Sequence, residues 1–347
     1  MKIIEILPEL NIGGVERHVI DLSNELAERG HKILVVSAGG KMQRQLSDKV
    51  EHRTLSVQKK NPFTGYLCAR RIAGWVRNEG WQILHAHSRV PAWIAEWASH
   101  MSGVPYLVTA HVVFGNKSPW IYRPYRDAAK VICVSKAVQD GMKDCFYDNT
   151  QVIVNGLDEP KYKWTRPQEP PVKFLFVGRL SPVKGLQDAL KAMPKGLDWT
   201  LDVLGDGPMR KELEELSASL GLSDRGKFHG YSDQADKYMA ESSCLLFPSY
   251  TEGMPLTLAR AVQIGIPVIA SNIPPVAEMA GSEEGLLEPG KIVDWNKTIA
   301  DFIKTEGARV SMPIDNVPTL KDMVDADEYI YYQSLVEKLK NDGAFVK

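Results

Sequence analysis

The chain is poor in cysteine: four in 347 residues, at positions 68, 133, 145 and 244. They form no CxxC pair and no Cys/His metal spacing, which excludes a disulfide scaffold and points to reduced thiols in a cytosolic protein. Long apolar runs are missing too. No window approaches the roughly 18 uninterrupted apolar residues of a membrane-spanning helix, and Glu5 and Glu9 break what would have to be the apolar stretch of a leader. The opening therefore reads as a buried first strand. Repeats and low-complexity tracts are absent, and the formal net charge is only −1. What remains is ordinary globular composition, 44% hydrophobic and 24% charged, in a chain long enough for two domains.

The small net charge hides an asymmetry. Residues 41–136 carry 15 Lys/Arg against 5 Asp/Glu. A segment so basic suggests an anionic partner for the N-terminal half: a phosphorylated acceptor or an acidic membrane surface rather than nucleic acid.

Short apolar strands alternate with helical stretches from the start: Ile3–Leu7, a helix over 15–29, Lys32–Ser37, then Ile83–Ala86, a helix over 91–102, Tyr106–Thr109 and Val131–Ser135. This is the βαβ signature of a doubly wound parallel sheet, whose ligands lie beyond the C-terminal ends of the strands. Asn155-Gly156-Leu157-Asp158 and the prolines 167, 170 and 171 mark a linker. A second alternating series follows, with strands at Lys173–Val177, Thr200–Leu204, Leu245–Pro248 and Pro267–Ala270 and helices over 185–192, 209–220 and 255–264. After Pro318, residues 319–340 return to helical spacing. The expected organisation is an N-terminal Rossmann-like domain over 1–155, a linker over 156–172, a second Rossmann-like domain over 173–317 and a terminal helix over 318–347.

Two stretches carry chemistry. Gly178-Arg179-Leu180-Ser181-Pro182-Val183-Lys184-Gly185 runs from an apolar strand into a helix, and a strand-to-helix turn holding Arg and Lys is suited to phosphate. Phe247-Pro248-Ser249-Tyr250-Thr251-Glu252-Gly253-Met254-Pro255 ends a buried strand, presents a carboxylate and leads into a helix N-terminus. A carboxylate there can accept hydrogen bonds from sugar hydroxyls. Neither Gly205-Asp206-Gly207 nor the loop after the first strand continues as GxGxxG, which disfavours a dinucleotide dehydrogenase. His85 and His87, at the end of a buried strand, read as packing or loop residues, and no His spacing is that of a zinc site.

With these stretches the chain resembles the family-4 glycosyltransferases of the retaining GT-B class over nearly its whole length. The motifs are Gly13-Gly14-Val15-Glu16-Arg17, His85-Ala86-His87-Ser88, Thr109-Ala110-His111, Val134-Ser135-Lys136, Asn155-Gly156-Leu157-Asp158, Gly178-Arg179 with Lys184-Gly185, Leu204-Gly205-Asp206-Gly207-Pro208, Phe228-His229-Gly230-Tyr231 and Glu252-Gly253-Met254-Pro255. The resemblance implies two Rossmann-like domains facing a cleft, with the last helix crossing back to the first domain. It implies that Arg179 and Lys184 hold the donor diphosphate beside Gly178, and that Glu252 with the Gly253, Met254 and Pro255 backbone holds the transferred sugar. Gly13 and Gly14 would form the facing loop, Gly230 and Tyr231 would lie near the nucleobase, and His111 would hydrogen-bond the donor sugar. No cofactor and no metal are implied, the nucleotide-sugar being a substrate.

One position departs from the pattern. Where family members usually carry a second Glu to bind ribose, this chain has Arg260, which has donors and no acceptor. It could contact an unusual donor, pair with an acid such as Glu278, or mark a binding-only homologue. Acceptor-side candidates are Arg17, Trp120 and Arg123. The segment 114–130 mixes Trp120, Tyr122 and Tyr125 with Lys117, Arg123 and Arg126, and Cys68–Arg77 adds Arg70, Arg71, Trp75 and Arg77; such mixtures suit a bilayer interface or an anionic acceptor. The expected activity is transfer of a sugar from a nucleotide-diphosphate donor to a saccharide or glycolipid, in lipopolysaccharide or cell-surface glycan synthesis at the cytosolic membrane face. The alternatives are a non-catalytic sugar- or nucleotide-binding homologue and a nucleotide-sugar epimerase.

Overall fold

A computed structural model describes residues 1–114, 118, 120–146, 148–167, 169–305 and 317–342. Lys117 of the basic aromatic segment lies outside the described residues. The chain divides into two compact units, Met1–Gly156 with the segment from Pro318 onward, and Leu157–Val317.

The first unit runs β1 (Lys2–Ile6), α1 (Gly14–Glu28), β2 (Lys32–Ser37), β3 (Val50–Thr54), α2 (Pro62–Glu79), β4 (Ile83–His87), α3 (Arg89–Ser102), β5 (Tyr106–Ala110), α4 (Arg123–Arg126), β6 (Lys130–Cys133), α5 (Lys136–Met142) and β7 (Thr150–Val152). The second runs β8 (Val172–Val177), α6 (Leu186–Ala192), β9 (Trp199–Leu204), α7 (Arg210–Ser219), β10 (Gly226–Gly230), α8 (Ala235–Glu241), β11 (Cys244–Phe247), α9 (Leu256–Ile264), β12 (Val268–Ala270), α10 (Pro274–Ala280) and α11 (Ile292–Thr305). Helix α12 (Leu320–Asn341) belongs to the first unit.

The seven-stranded sheet has the order β3-β2-β1-β4-β5-β6-β7 and the five-stranded sheet β10-β9-β8-β11-β12. Every strand pair is parallel. Parallel strands need right-handed crossovers, so reversing the winding direction puts helices on opposite faces of each sheet. The reversal falls between β1 and β4 in the first unit and between β8 and β11 in the second. There the outgoing loops part, and doubly wound proteins bind ligands at that point.

Local chemistry sets the boundaries. The Asn61 side chain accepts from the Thr64 N–H to cap α2, Pro62 stands in its first turn, and Gly80 closes it in the left-handed region. Thr319 and Asp322 form a reciprocal capping box on α12. Met323, Val324, Ile330 and Tyr331 of α12 pack with Ile3, Leu7, Val19 and Leu22 in the first core. Phe174, Trp199, Leu246 and Trp295 anchor the second core. All four cysteines are buried thiols outside any disulfide.

Candidate functional site

In the second unit, the two chemistry-bearing stretches leave the sheet at its winding reversal. Gly178 to Gly185 follows β8 and Pro248 to Pro255 follows β11. The loops touch closely: the Tyr250 N–H donates to the Val183 carbonyl at 2.8 Å, and a Cβ on Gly185 would collide with the Pro248 carbonyl oxygen. Gly185 also has φ +71°, a conformation glycine adopts without strain. This contact brings Lys184, in a short 3-10 turn over Pro182–Lys184, to Glu252. The ammonium donates to both carboxylate oxygens, at 2.7 and 2.9 Å. Lys184 keeps a share of its surface in solvent while Glu252 is largely covered.

Arg179 lies exposed on the same loop, without an ion pair to the described residues. Gly253, Met254 and Pro255 are buried behind Glu252, and Pro255 directly precedes the first turn of α9. Gly230 ends β10 at φ +75°, with the Arg210 guanidinium against its Cα, and Tyr231 beside it is exposed. Two cations, a carboxylate and the opening turn of a nine-residue helix thus converge at one end of one sheet. That arrangement can bind a diphosphate through the cations and hydroxyls through the carboxylate.

Arg260 does not pair with Glu278. It lies on α9 and donates to the Asp158 carbonyl at 2.7 Å and to the Asp158 carboxylate, with Gln263 at 3.0 Å. The Asp236 carboxylate is 3.6 Å from Nε. Burial leaves the guanidinium 14% exposed, so these acids offset its charge where a free cation would be costly.

The winding reversal of the first unit is built otherwise. Glu5 of β1 and His85 of β4 are register partners, and both are completely buried, as is His87. The His85 imidazole lies 3.2 Å from Glu5 Oε2, 2.7 Å from the Tyr331 hydroxyl and 2.7 Å from the Thr109 hydroxyl. Tyr331 donates to the other Glu5 oxygen at 3.1 Å. His87 Nε2 is 2.8 Å from Glu5, and its Nδ1 is 3.0 Å from His111 Nε2. Burial alone would raise the Glu5 pKa, but the positive His85 and the hydrogen bonds from both histidines hold it well below the usual carboxylate value. Burial works against a charged His85, yet Glu5 raises its pKa. Burial and the His85 charge then push His87 down to about 4, and burial with neighbouring imidazoles keeps His18 and His111 well below the ordinary value. The surroundings thus favour an ionised Glu5 beside a charged His85, and neutral rings at His87, His18 and His111. Asp327 of α12 is fully buried without a hydrogen-bond partner, and burial pushes it up to about 7.

His85 and His87 are thus packed, hydrogen-bonded core residues, as expected, but in a cluster that linear spacing does not show. Glu5, His18, Asp327 and Tyr331 were not among the sequence candidates. Each sits far along the chain from the others, and only the Glu5 interruption of an apolar strand hinted at one of them. His111 is half-buried just past β5. Gly13 and Gly14 open α1, where a Cβ on Gly13 would meet the Glu16 carboxylate.

The acceptor-side candidates separate. Arg17 is exposed and pairs with Asp21 on the next turn at 2.7 Å. Arg123 is held by the buried Glu96 through two bonds of 3.0 and 2.9 Å and lies over the Trp93 ring. It neutralises a buried charge and is not a free cation for an acceptor. Tyr122 and Tyr125 are fully buried and pack with Phe114 and Phe146, which corrects the expectation that they face an interface. Trp120 is 68% exposed and begins a file of rings through Trp93 and Trp97 to Tyr66 on α2. Phe63, Tyr66 and Leu67, all exposed, share one face of α2 with exposed Arg70 and Arg71. Among the described residues no helix is long and apolar enough to cross a membrane.

Two parallel doubly wound sheets of these strand orders are the fold of the GT-B type. The chain belongs to the glycosyltransferases: residues 12–160 match the family described as Glycosyltransferase Family 4, and residues 158–315 match Glycosyl transferases group 1. An uncharacterized glycosyltransferase of Methanocaldococcus jannaschii, MJ1607, is 24% identical over 319 residues, 80% of this chain and 81% of that one. Among solved structures, Anabaena HepE in complex with UDP-glucose superposes with a TM-score of 0.74 at 21% identity, covering 98% of this chain and 100% of that one. The apo lipopolysaccharide outer core galactosyltransferase WaaB gives 0.67 at 19% identity, covering 99% and 100%.

Proposed function

We propose that the protein transfers a sugar, with retention of anomeric configuration, from a nucleotide-diphosphate donor to a saccharide or glycolipid acceptor. The observation that carries this reading is the Lys184–Glu252 pair at the winding reversal of the second sheet, with Arg179 exposed beside it. Lys184 gives two of its three N–H bonds to Glu252 and has a third for a phosphate oxygen. Arg179 supplies a forked donor for the same group. As the bond from sugar to diphosphate breaks, negative charge grows on the leaving phosphate, and these fixed cations stabilise it without a metal. Glu252, held ionised and oriented by Lys184, accepts hydrogen bonds from the hydroxyls of the transferred sugar. The HepE neighbour binds UDP-glucose, which makes a UDP-sugar the first donor to try.

The basic aromatic face of the first unit supports a glycolipid acceptor. Phe63, Tyr66, Leu67 and Trp120 are exposed apolar or amphipathic side chains, and Lys59, Lys60, Arg70 and Arg71 flank them. Exposed aromatics among cations fit the headgroup level of an anionic bilayer. We place the protein in the cytoplasm, peripherally on the inner face of the membrane, making lipopolysaccharide or another surface glycan. The test is product mass after incubation with nucleotide-sugars and a glycolipid acceptor. Acceptor-dependent transfer that collapses in Lys184→Ala supports the reading. Turnover of donor without acceptor, giving an isomerised sugar, contradicts it.

A further inference from the structure

The buried polar cluster of the first unit contains more than an ion pair. Glu5, His85, Tyr331 and Thr109 satisfy one another and leave no ligand position open. The imidazoles beyond them differ. His18, on α1, is buried; its polar neighbour is the Asn155 side chain, which favours the protonated ring but does not reach good hydrogen-bond geometry with either ring nitrogen. A buried imidazole without a well-formed hydrogen bond is costly unless something occupies its lone pair.

His18, His87 and His111 each offer a ring nitrogen, and the three nitrogens lie within 4.8 Å of one another. Three nitrogens around a tetrahedral ion, each at about 2.0–2.1 Å from it, sit roughly 3.3–3.4 Å apart. The 3.0 Å between His87 and His111 needs to open slightly, and His18 needs to swing inward by an ångström or so. His87 is already oriented: its Nε2–H donates to Glu5, so Nδ1 presents a lone pair. A carboxylate behind a ligating histidine is the usual outer support of a metal site. In the metal-free state the His111 Nε2–H donates to that lone pair, and a shift of its proton to Nδ1 frees Nε2. His111 is the half-buried member, the side of the cluster nearest solvent.

We propose that His18, His87 and His111 form a three-histidine site for a borderline divalent transition-metal ion of the Zn2+ class, with Glu5 as its outer-sphere anchor. All-imidazole donors select such ions over Mg2+ or Ca2+. The ion ties α1, β4 and the end of β5 together. The site draws on His111, which the family resemblance would turn to the donor sugar, so a bound ion withdraws that residue from the donor; metal uptake itself is measured with neither donor nor acceptor present.

The experiment uses the full chain stripped with chelator and titrated with Co2+ as an optical probe, then with Zn2+. We expect one equivalent of Co2+ to produce the visible bands of a four-coordinate site, bleached by one equivalent of Zn2+. His18→Gln and His111→Gln each abolish the bands. Glu5→Gln weakens binding about 10–100-fold, the usual effect of losing an outer-sphere carboxylate. His229→Gln, a surface histidine paired with Asp202 in the other unit, leaves binding unchanged. If His18→Gln fails to fold, His111→Gln, checked by circular dichroism, decides the matter. Absence of stoichiometric uptake, or uptake undiminished in the folded variant, overturns the proposal.

Discussion

The two units share one topology and treat its winding reversal in opposite ways. In the second unit the polar groups stand partly in water: Arg179 is exposed, and the Lys184–Glu252 pair retains solvent contact over an apolar core. In the first, Glu5, His85 and His87 are wholly buried, and α12 adds the buried Asp327 and Tyr331. A wet reversal leaves cations able to exchange one anion for another. A dry one fixes protonation states, because each charge change there must be met by a neighbour. The same strand order can thus carry a solvent-reaching Lys–Glu pair or a dry, titratable cluster, depending on how many polar side chains the strands themselves contribute.

The largest effect that would break this comparison is catalytic. Lys184→Ala is expected to lower transfer by about 10²–10³-fold while leaving the thermal unfolding of both units near wild type, as measured by steady-state kinetics and calorimetry. A near-normal rate would remove the second unit's claim to the chemistry. Next comes Asp327→Asn. The folded pKa of Asp327 is raised from 3.8 to about 7, so the native state holds its proton longer than the unfolded state does. Its burial therefore erodes stability as pH rises from about 4 to about 7, and the erosion is complete above that. Denaturant titrations should find the variant stabler by roughly 2–4 kcal/mol at pH 8 and close to wild type near pH 4. The neutral histidines act with the opposite sign. His87, lowered from 6.5 to about 4, contributes stability above pH 6.5 that disappears as pH falls toward 4.

A smaller effect sharpens the second unit's side. Arg260→Glu places a carboxylate among Asp158, Asp236 and Gln263, so it should cost about 1–2 kcal/mol and fail to improve nucleotide affinity. Stability is read by urea unfolding and affinity by calorimetric titration. Smallest is the surface of the first unit. Phe63→Ala should weaken binding to anionic phospholipid vesicles about tenfold in a sedimentation assay, with no change in stability.

Much of the fold was legible because buried parallel strands advertise themselves as apolar runs, as in Lys32–Ser37 and Cys244–Phe247, and because Gly30, Gly103 and Gly265 punctuate helix ends. Strand β3, Val-Glu-His-Arg-Thr, was not legible: it is an edge strand whose outward residues need no apolar pattern. Helix α2 was hidden by Pro62, Gly65 and Gly74 and by an exposed aromatic face that mimics a loop's mixture. The candidate residues Arg179, Lys184 and Glu252 could be picked out because each sits in a local strand-to-helix turn, and the structure brings Lys184 and Glu252 together. The partners of Arg260 could not, since Asp158 lies 102 positions away. The histidine cluster was illegible for the same reason: it joins α1, β1, β4, β5 and α12, and no local pattern records that meeting.

We propose the second unit's wet reversal as a nucleotide-diphosphate site. The most direct measurement is a thermal-shift panel of wild type and Lys184→Ala against UDP, GDP, ADP and CMP and their common sugar conjugates. A ligand at about 100 times its dissociation constant stabilises the fold by about 2.7 kcal/mol, well within reach of such a panel. The account predicts a shift confined to one nucleoside diphosphate and its sugars, lost in Lys184→Ala; no shift with any of them, or one that survives the substitution, would contradict it.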